Sequence, residues 1–83
     1  MSAEIPSEMM IEKIQTLEQS IKKEREKKLD YELELAVSTE LYGSYGSFLR
    51  DMIYQTCPRN IQTHQLKIDY LLKQLHDRNV PGY

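Results

Sequence analysis

The chain carries neither glycine nor proline between Ser7 and Tyr42. Over so long a stretch this absence constrains the fold more than any single propensity, because glycine and proline are the residues that interrupt helices. Ser7, after Pro6, suits a helix N-cap, and Glu8 suits the positive end of the helix. Apolar residues then fall at Met10, Ile14, Leu17 and Ile21, in steps of 4, 3 and 4, the spacing of a coiled-coil seam. The run Lys22-Lys23-Glu24-Arg25-Glu26-Lys27-Lys28 interrupts that seam, which resumes at Leu29, Leu33, Val37 and Leu41 in steps of 4. Ile21 and Leu29 are eight residues apart, one more than a heptad, so the stripe is expected to shift register there and to lose its strict left-handed supercoil. From residue 8 to 42 the helix is about 52 Å long. Leu33 lies on this expected seam, so a charge placed there is expected to unfold the protein.

A helix of this length needs a partner for its apolar stripe. Tyr42-Gly43-Ser44-Tyr45-Gly46-Ser47 reads as a stop and a restart, with Gly43 at the left-handed position after the first helix and Ser47 as the N-cap of the next. A connection this short makes antiparallel neighbours. The second arm carries one stripe at Phe48, Leu49, Met52 and Ile53 and another at Ile61, His64, Ile68, Leu71 and Leu75. Pro58 lies between them and either kinks the arm or splits it at Thr56 or Cys57. The expected architecture is all-α, an antiparallel coiled-coil helical hairpin. Residues 1–6 are a flexible start, 7–42 the first helix, 43–47 the turn, 48–57 and 59–77 the second arm, and 78–83 a frayed tail with a cut end at Pro81-Gly82-Tyr83. With the turn centred near residue 45, Leu29 faces Ile61, Ile21 faces Ile68, Leu17 faces Leu72 and Ile14 faces Leu75. Charge agrees with such pairing. Residues 1–42 hold six Lys+Arg and ten Asp+Glu, a net of -4, and residues 43–83 hold five and three, a net of +2.

Composition enters through what it excludes. A chain of 83 residues buries too little surface to surround a deep catalytic pocket. The single cysteine, Cys57, excludes an internal disulfide framework and a cysteine-based zinc site. The net charge of -2 argues against a bulk nucleic-acid binder. No apolar run spans a bilayer and Met1 to Pro6 is no signal peptide, so a cytoplasmic location is expected, with recruitment to a membrane as an option.

Catalytic, cofactor and metal constellations are absent. His64 and His76 are too far apart for an i, i+4 metal pair. His64 falls on the apolar seam, as a tolerated polar position in the core. Cys57 beside Arg59 invites the idea of an activated thiol, but a small buried apolar residue is the plainer reading. The sequence offers binding features instead. Lys22, Lys23, Arg25, Lys27 and Lys28 form either a contact for an acidic partner or lipid headgroup, or a solvated surface with Glu–Lys pairs. Tyr31, Tyr42, Tyr45, Phe48 and Tyr54 cluster in the turn-proximal half, either as an interface or as a plug of the open end. Tyr45, between two Gly-Ser pairs, is the one expected to stay exposed.

Residues Leu29 to Tyr42, LDYELELAVSTELY, resemble the central signature of the homology region one repeat. This is the Rho-binding antiparallel coiled coil of protein-kinase-C-related kinases, rhophilin and rhotekin. Leu29, Glu32, Leu33, Leu35, Glu40 and Tyr42 fill matching places, and Lys27 and Lys28 precede them as basic residues do in the family. The closing IDYLLKQL from Ile68 to Leu75 is similar to the family's Leu-rich last helix. Ser38-Thr39 replaces the family's Gly-Ala pair, and Tyr42 stands where Leu is usual. The turn sequence and Pro58 are not part of the family pattern. The resemblance implies a non-enzymatic effector domain that docks one face of the hairpin on an active Rho-family GTPase. The implied contacts are Lys22, Lys23, Arg25, Lys27, Lys28, Tyr31, Glu32 and Tyr45. Self-association through the apolar stripe is the competing reading, and an anionic membrane surface a third.

Overall fold

The computed structural model describes residues 4–37 and 44–83. It is an all-α hairpin whose first arm is one helix, α1 (Ser7–Val37). The second arm is α2 (Ser44–Asp51), a π-helical turn (Met52–Thr56) and α3 (Cys57–Asp77). α1 packs along α3, in a slab measuring 56 × 26 × 14 Å. A single layer of two helices is the thinnest arrangement that hides an apolar stripe. Among the described residues no helix is long and apolar enough to cross a membrane.

The core is one continuous line of side chains. Met10, Ile14, Leu17 and Ile21 of α1 are buried against Ile68 and Leu75 of α3, with Ile11, Ile61, Leu71 and Val80 at its margins. The first half of the expected seam is therefore the core. The second half is not: Leu29, Leu33 and Val37 are 55%, 56% and 72% exposed. The heptad seam does not shift register after Ile21. Continued in steps of 3 and 4 it runs through Glu24, Lys28, Tyr31 and Leu35, all partly buried. The long stems of Glu and Lys cover apolar surface while their charged ends reach water or a partner. That lets two charged residues occupy seam positions.

The second arm also differs from expectation at its start. Ser44 to Ser47, expected in the turn, are helical, so Ser47 is no N-cap. The expected cap at Gly43 lies outside the described residues, as do Tyr42 and the last turn of the expected first helix. Because α2 begins early, the arms pair between one and two helical turns away from the centred-turn register. Glu24 meets Asn60, where that register puts it opposite Leu66.

Pro58 divides the arm without opening a loop. Proline has no N–H for the helix ladder, and its ring crowds the carbonyl four residues back, that of Tyr54. The turn just ahead of it widens, and the Cys57 N–H donates to the Met52 carbonyl five residues earlier. Thr56 Oγ1 donates to Asp51 Oδ2 at 3.0 Å across the same five-residue step. The wide turn keeps Leu49, Ile53 and Cys57, four apart, on one buried line.

Both free ends are tied down. Pro6, not Ser7, caps α1: its carbonyl accepts from Met9 and Met10 N–H at 3.1 and 3.2 Å. Ser7 Oγ instead accepts from Arg78 Nη1 at 3.3 Å, and the same guanidinium reaches the Ile5 carbonyl and Glu4. The expected frayed tail is folded. Val80 N–H donates to Leu75 O at 3.1 Å and Asn79 N–H to His76 O at 3.0 Å, with Asn79 at φ 58. This is a Schellman cap with asparagine at the left-handed position and Val80 returning to the core. Pro81 and Gly82 (φ 85) then turn the chain, closing Tyr83 N–H onto Val80 O at 3.1 Å.

Leu17→Ala is expected to cost about 2–5 kcal/mol, and Leu33→Ala to stay within about 0.5 kcal/mol. Leu17→Asp unfolds the hairpin and Leu33→Asp leaves its helicity intact, as thermal melts followed by circular dichroism will report. Asn79→Val is expected to cost about 1–2 kcal/mol in the same melts, while Asn79→Gly is tolerated.

Candidate interaction surface

The sequence places its charge run at the middle of α1, and the hairpin sorts that run onto different sides. Glu24 points into the seam with its side chain 13% exposed. There it accepts from Asn60 Nδ2 at 3.3 Å and pairs with Lys27 Nζ at 3.5 Å. Cys57, fully buried, sits beside the same carboxylate. Burial pushes the Cys57 thiol up, and the charge and hydrogen bond of Glu24 push it further, against a smaller downward pull from Lys27 and Lys28. The thiol is a packed, protonated core group, and Arg59 does not activate it. His64 Nδ1 is also buried along this stretch and makes no hydrogen bond.

Lys28 Nζ pairs with Glu32 Oε1 at 2.9 Å, one turn on. Lys22, Lys23 and Arg25 are exposed and join no ion pair among the described residues. Arg25, Lys28, Leu29 and Glu32 form one wall of a shallow groove of about 720 Å³, and Pro58, Ile61, Gln62 and Gln65 form the other. The groove gathers the Pro58 ring, Ile61 and Leu29, with cations along the α1 edge. Lys22, Lys23 and Lys27 lie outside this groove.

The turn-proximal aromatics both staple the arms and face solvent. Tyr31 meets the ring of Phe48 edge-on at 5.8 Å and 85°. Tyr45 stacks on Phe48 at 6.4 Å and 23°, and its hydroxyl donates to Glu34 Oε1 at 3.2 Å. Desolvation raises the Tyr45 hydroxyl above its ordinary value, with the Glu34 charge and hydrogen bond and then Tyr31 adding to it. Tyr45 and Phe48 keep about half their surface in water and Tyr54 keeps 70%. Of the expected contacts, then, Arg25, Lys28 and Glu32 share a groove, and Tyr31 and Tyr45 share a cluster one turn further on. Leu29, Pro58 and Ile61 complete the groove and were not among the expected contacts. Carrying the 3–4 spacing past Glu24 and Lys28 frees Leu29 from the seam and identifies it as surface. Glu40 and Tyr42 lie outside the described residues.

The chain matches no protein-family model, no curated protein and no solved structure with which it was compared.

A raised thiol value means that folding favours the protonated form of Cys57. Its contribution to stability is complete below the ordinary thiol value of 9.0 and is lost as the pH rises above it through the folded value. The stability of the wild type is therefore expected to fall more steeply above pH 9 than that of Cys57→Ala, which urea titrations over a pH series will measure.

Proposed function

We propose that the hairpin is a protein-recognition module without catalytic activity, and that its partner is an active Rho-family GTPase. The observation that carries the reading is the groove between Leu29 and Ile61. It is an apolar strip left over from the seam, edged by Arg25 and Lys28, with the half-exposed rings of Tyr45 and Phe48 as a separate patch on the other flank of α1. Apolar anchors inside a charged rim are the anatomy of a protein interface. The resemblance of Leu29 to Tyr42 to the homology region one repeat supplies the partner class. In this reading the rim cations steer the acidic partner into register, and Leu29, Ile61 and the Pro58 ring provide the contact area. The module works in the cytoplasm and reaches membranes through its partner.

Calorimetric titration against a panel of Rho-family GTPases tests this. The GTP-analogue-loaded form is expected to bind and the GDP-loaded form to bind markedly less. Arg25→Glu is expected to weaken binding by about tenfold, mainly through the on-rate and more at low salt. Equal, poor binding of both nucleotide states removes the GTPase from the reading.

A further inference from the structure

The groove proposed above lies on one side of the hairpin, and the free-end half carries a different groove on the other. On α1 the seam has two rows. Lys28 belongs with Ile14, Ile21 and Leu35, and Leu17 belongs with Met10, Glu24 and Tyr31. The second groove opens along the Leu17 row. Its floor is Leu17 and Leu71, its walls are Leu66 and Tyr70, and Lys13 and Lys67 flank it. Leu66 and Tyr70 are 62% and 63% exposed. The strip continues past Lys13 and Leu71 to Met9 and Ile5, with Glu12 the one acid on it. Lys13 and Lys67 are exposed and join no ion pair among the described residues.

The same chain carries the complement of this groove. Leu29, Leu33 and Val37 recur every four residues on the outer surface of α1 and are all exposed. Glu26, Asp30 and Glu34 recur at the same spacing, one position further round, so an acidic row runs alongside the apolar one. A row spaced by four residues is the ridge that packs into a groove between helices. The stripe is apolar and acid-edged, and the free-end groove is apolar and lysine-edged. The two lie in different halves of one helix, with Leu17 and Leu29 about 18 Å apart along its axis, so one molecule does not dock its own stripe in its own groove.

We infer that a second copy of this chain fills the groove, seating its Leu29–Leu33–Val37 stripe on Leu17, Leu66 and Tyr70 with Glu26 and Asp30 against Lys13 and Lys67. The contact joins two different surfaces, so it is head-to-tail. It extends into a row of molecules unless the rotation between neighbours closes a ring. This assignment shares Leu29 with the GTPase reading but uses a different groove, so variants at Lys13, Leu66 and Lys67 separate the two.

Sedimentation velocity of the full chain over a concentration series at low salt tests it. The mean mass is expected to climb with concentration and to fall back on adding salt. The pair Lys13→Glu, Lys67→Glu and the pair Glu26→Lys, Asp30→Lys all lie at exposed positions. Each double variant alone is expected to associate at least about tenfold more weakly than the wild type. Mixed in equal amounts they regain association, because the basic stripe of one then meets the acidic groove of the other. Leu66→Ser weakens association without reversing any charge, while circular dichroism reports unchanged helicity. A strictly monomeric wild type overturns the inference. So does association indifferent to both charge reversals, a mixture that stays as weak as its parts, or binding of the wild type to an acidic helical peptide or anionic vesicles without self-association.

Discussion

Everything else in the hairpin rests on the contact of Met10, Ile14, Leu17 and Ile21 with Ile68 and Leu75. A two-helix slab has no second layer to share the burden. Each arm is held in its helical form by the stripe of the other, and a loss at one seam position is felt along both. This explains why the two free ends are fastened so deliberately. Arg78 holds Glu4, Ile5 and Ser7, the Schellman cap returns Val80 to the core, and the most buried leucines, Leu49 and Leu75, lie toward opposite ends of the second arm. Fraying at either end would open the seam itself, because among the described residues no further element covers it.

Much of this was legible in the sequence. The absence of glycine and proline from Ser7 to Tyr42 announced the long helix, and the 4-3-4 spacing from Met10 to Ile21 gave half of the core. Pro58 marked the division of the second arm. What misled was polarity. Glu24 and Lys28 look like part of a solvated run, so the apolar pattern jumped ahead to Leu29 and Leu33. In the folded chain the heptad is unbroken and the two charged residues occupy it, Glu24 by receiving Asn60 and Cys57 and Lys28 by leaning out to Glu32. The tail departs from expectation because Asn79 takes the left-handed cap position that glycine usually fills, so the stop before Pro81 carries no glycine to mark it.

The candidate surface was legible in kind but not in membership. Charge density drew attention to the whole run from Lys22 to Lys28, but a helix distributes a run of seven residues around its full circumference. Only Arg25 and Lys28 end at the groove, and Ile61 across from them belongs to an arm that the run does not touch. The pairing register decides which residues become neighbours, and the register depends on where α2 begins. No local pattern in α1 contains that information.

The π turn at Met52–Thr56 has a consequence of its own. One residue added to or removed from an α-helix rotates everything beyond it by about 100°, which would turn a seam outward. A wide turn is the place where an odd residue has already been absorbed without a loop. The second arm is in this sense spliced from two lengths of different phase, and the splice keeps Leu49 ahead of it and Ile68 and Leu75 beyond it buried.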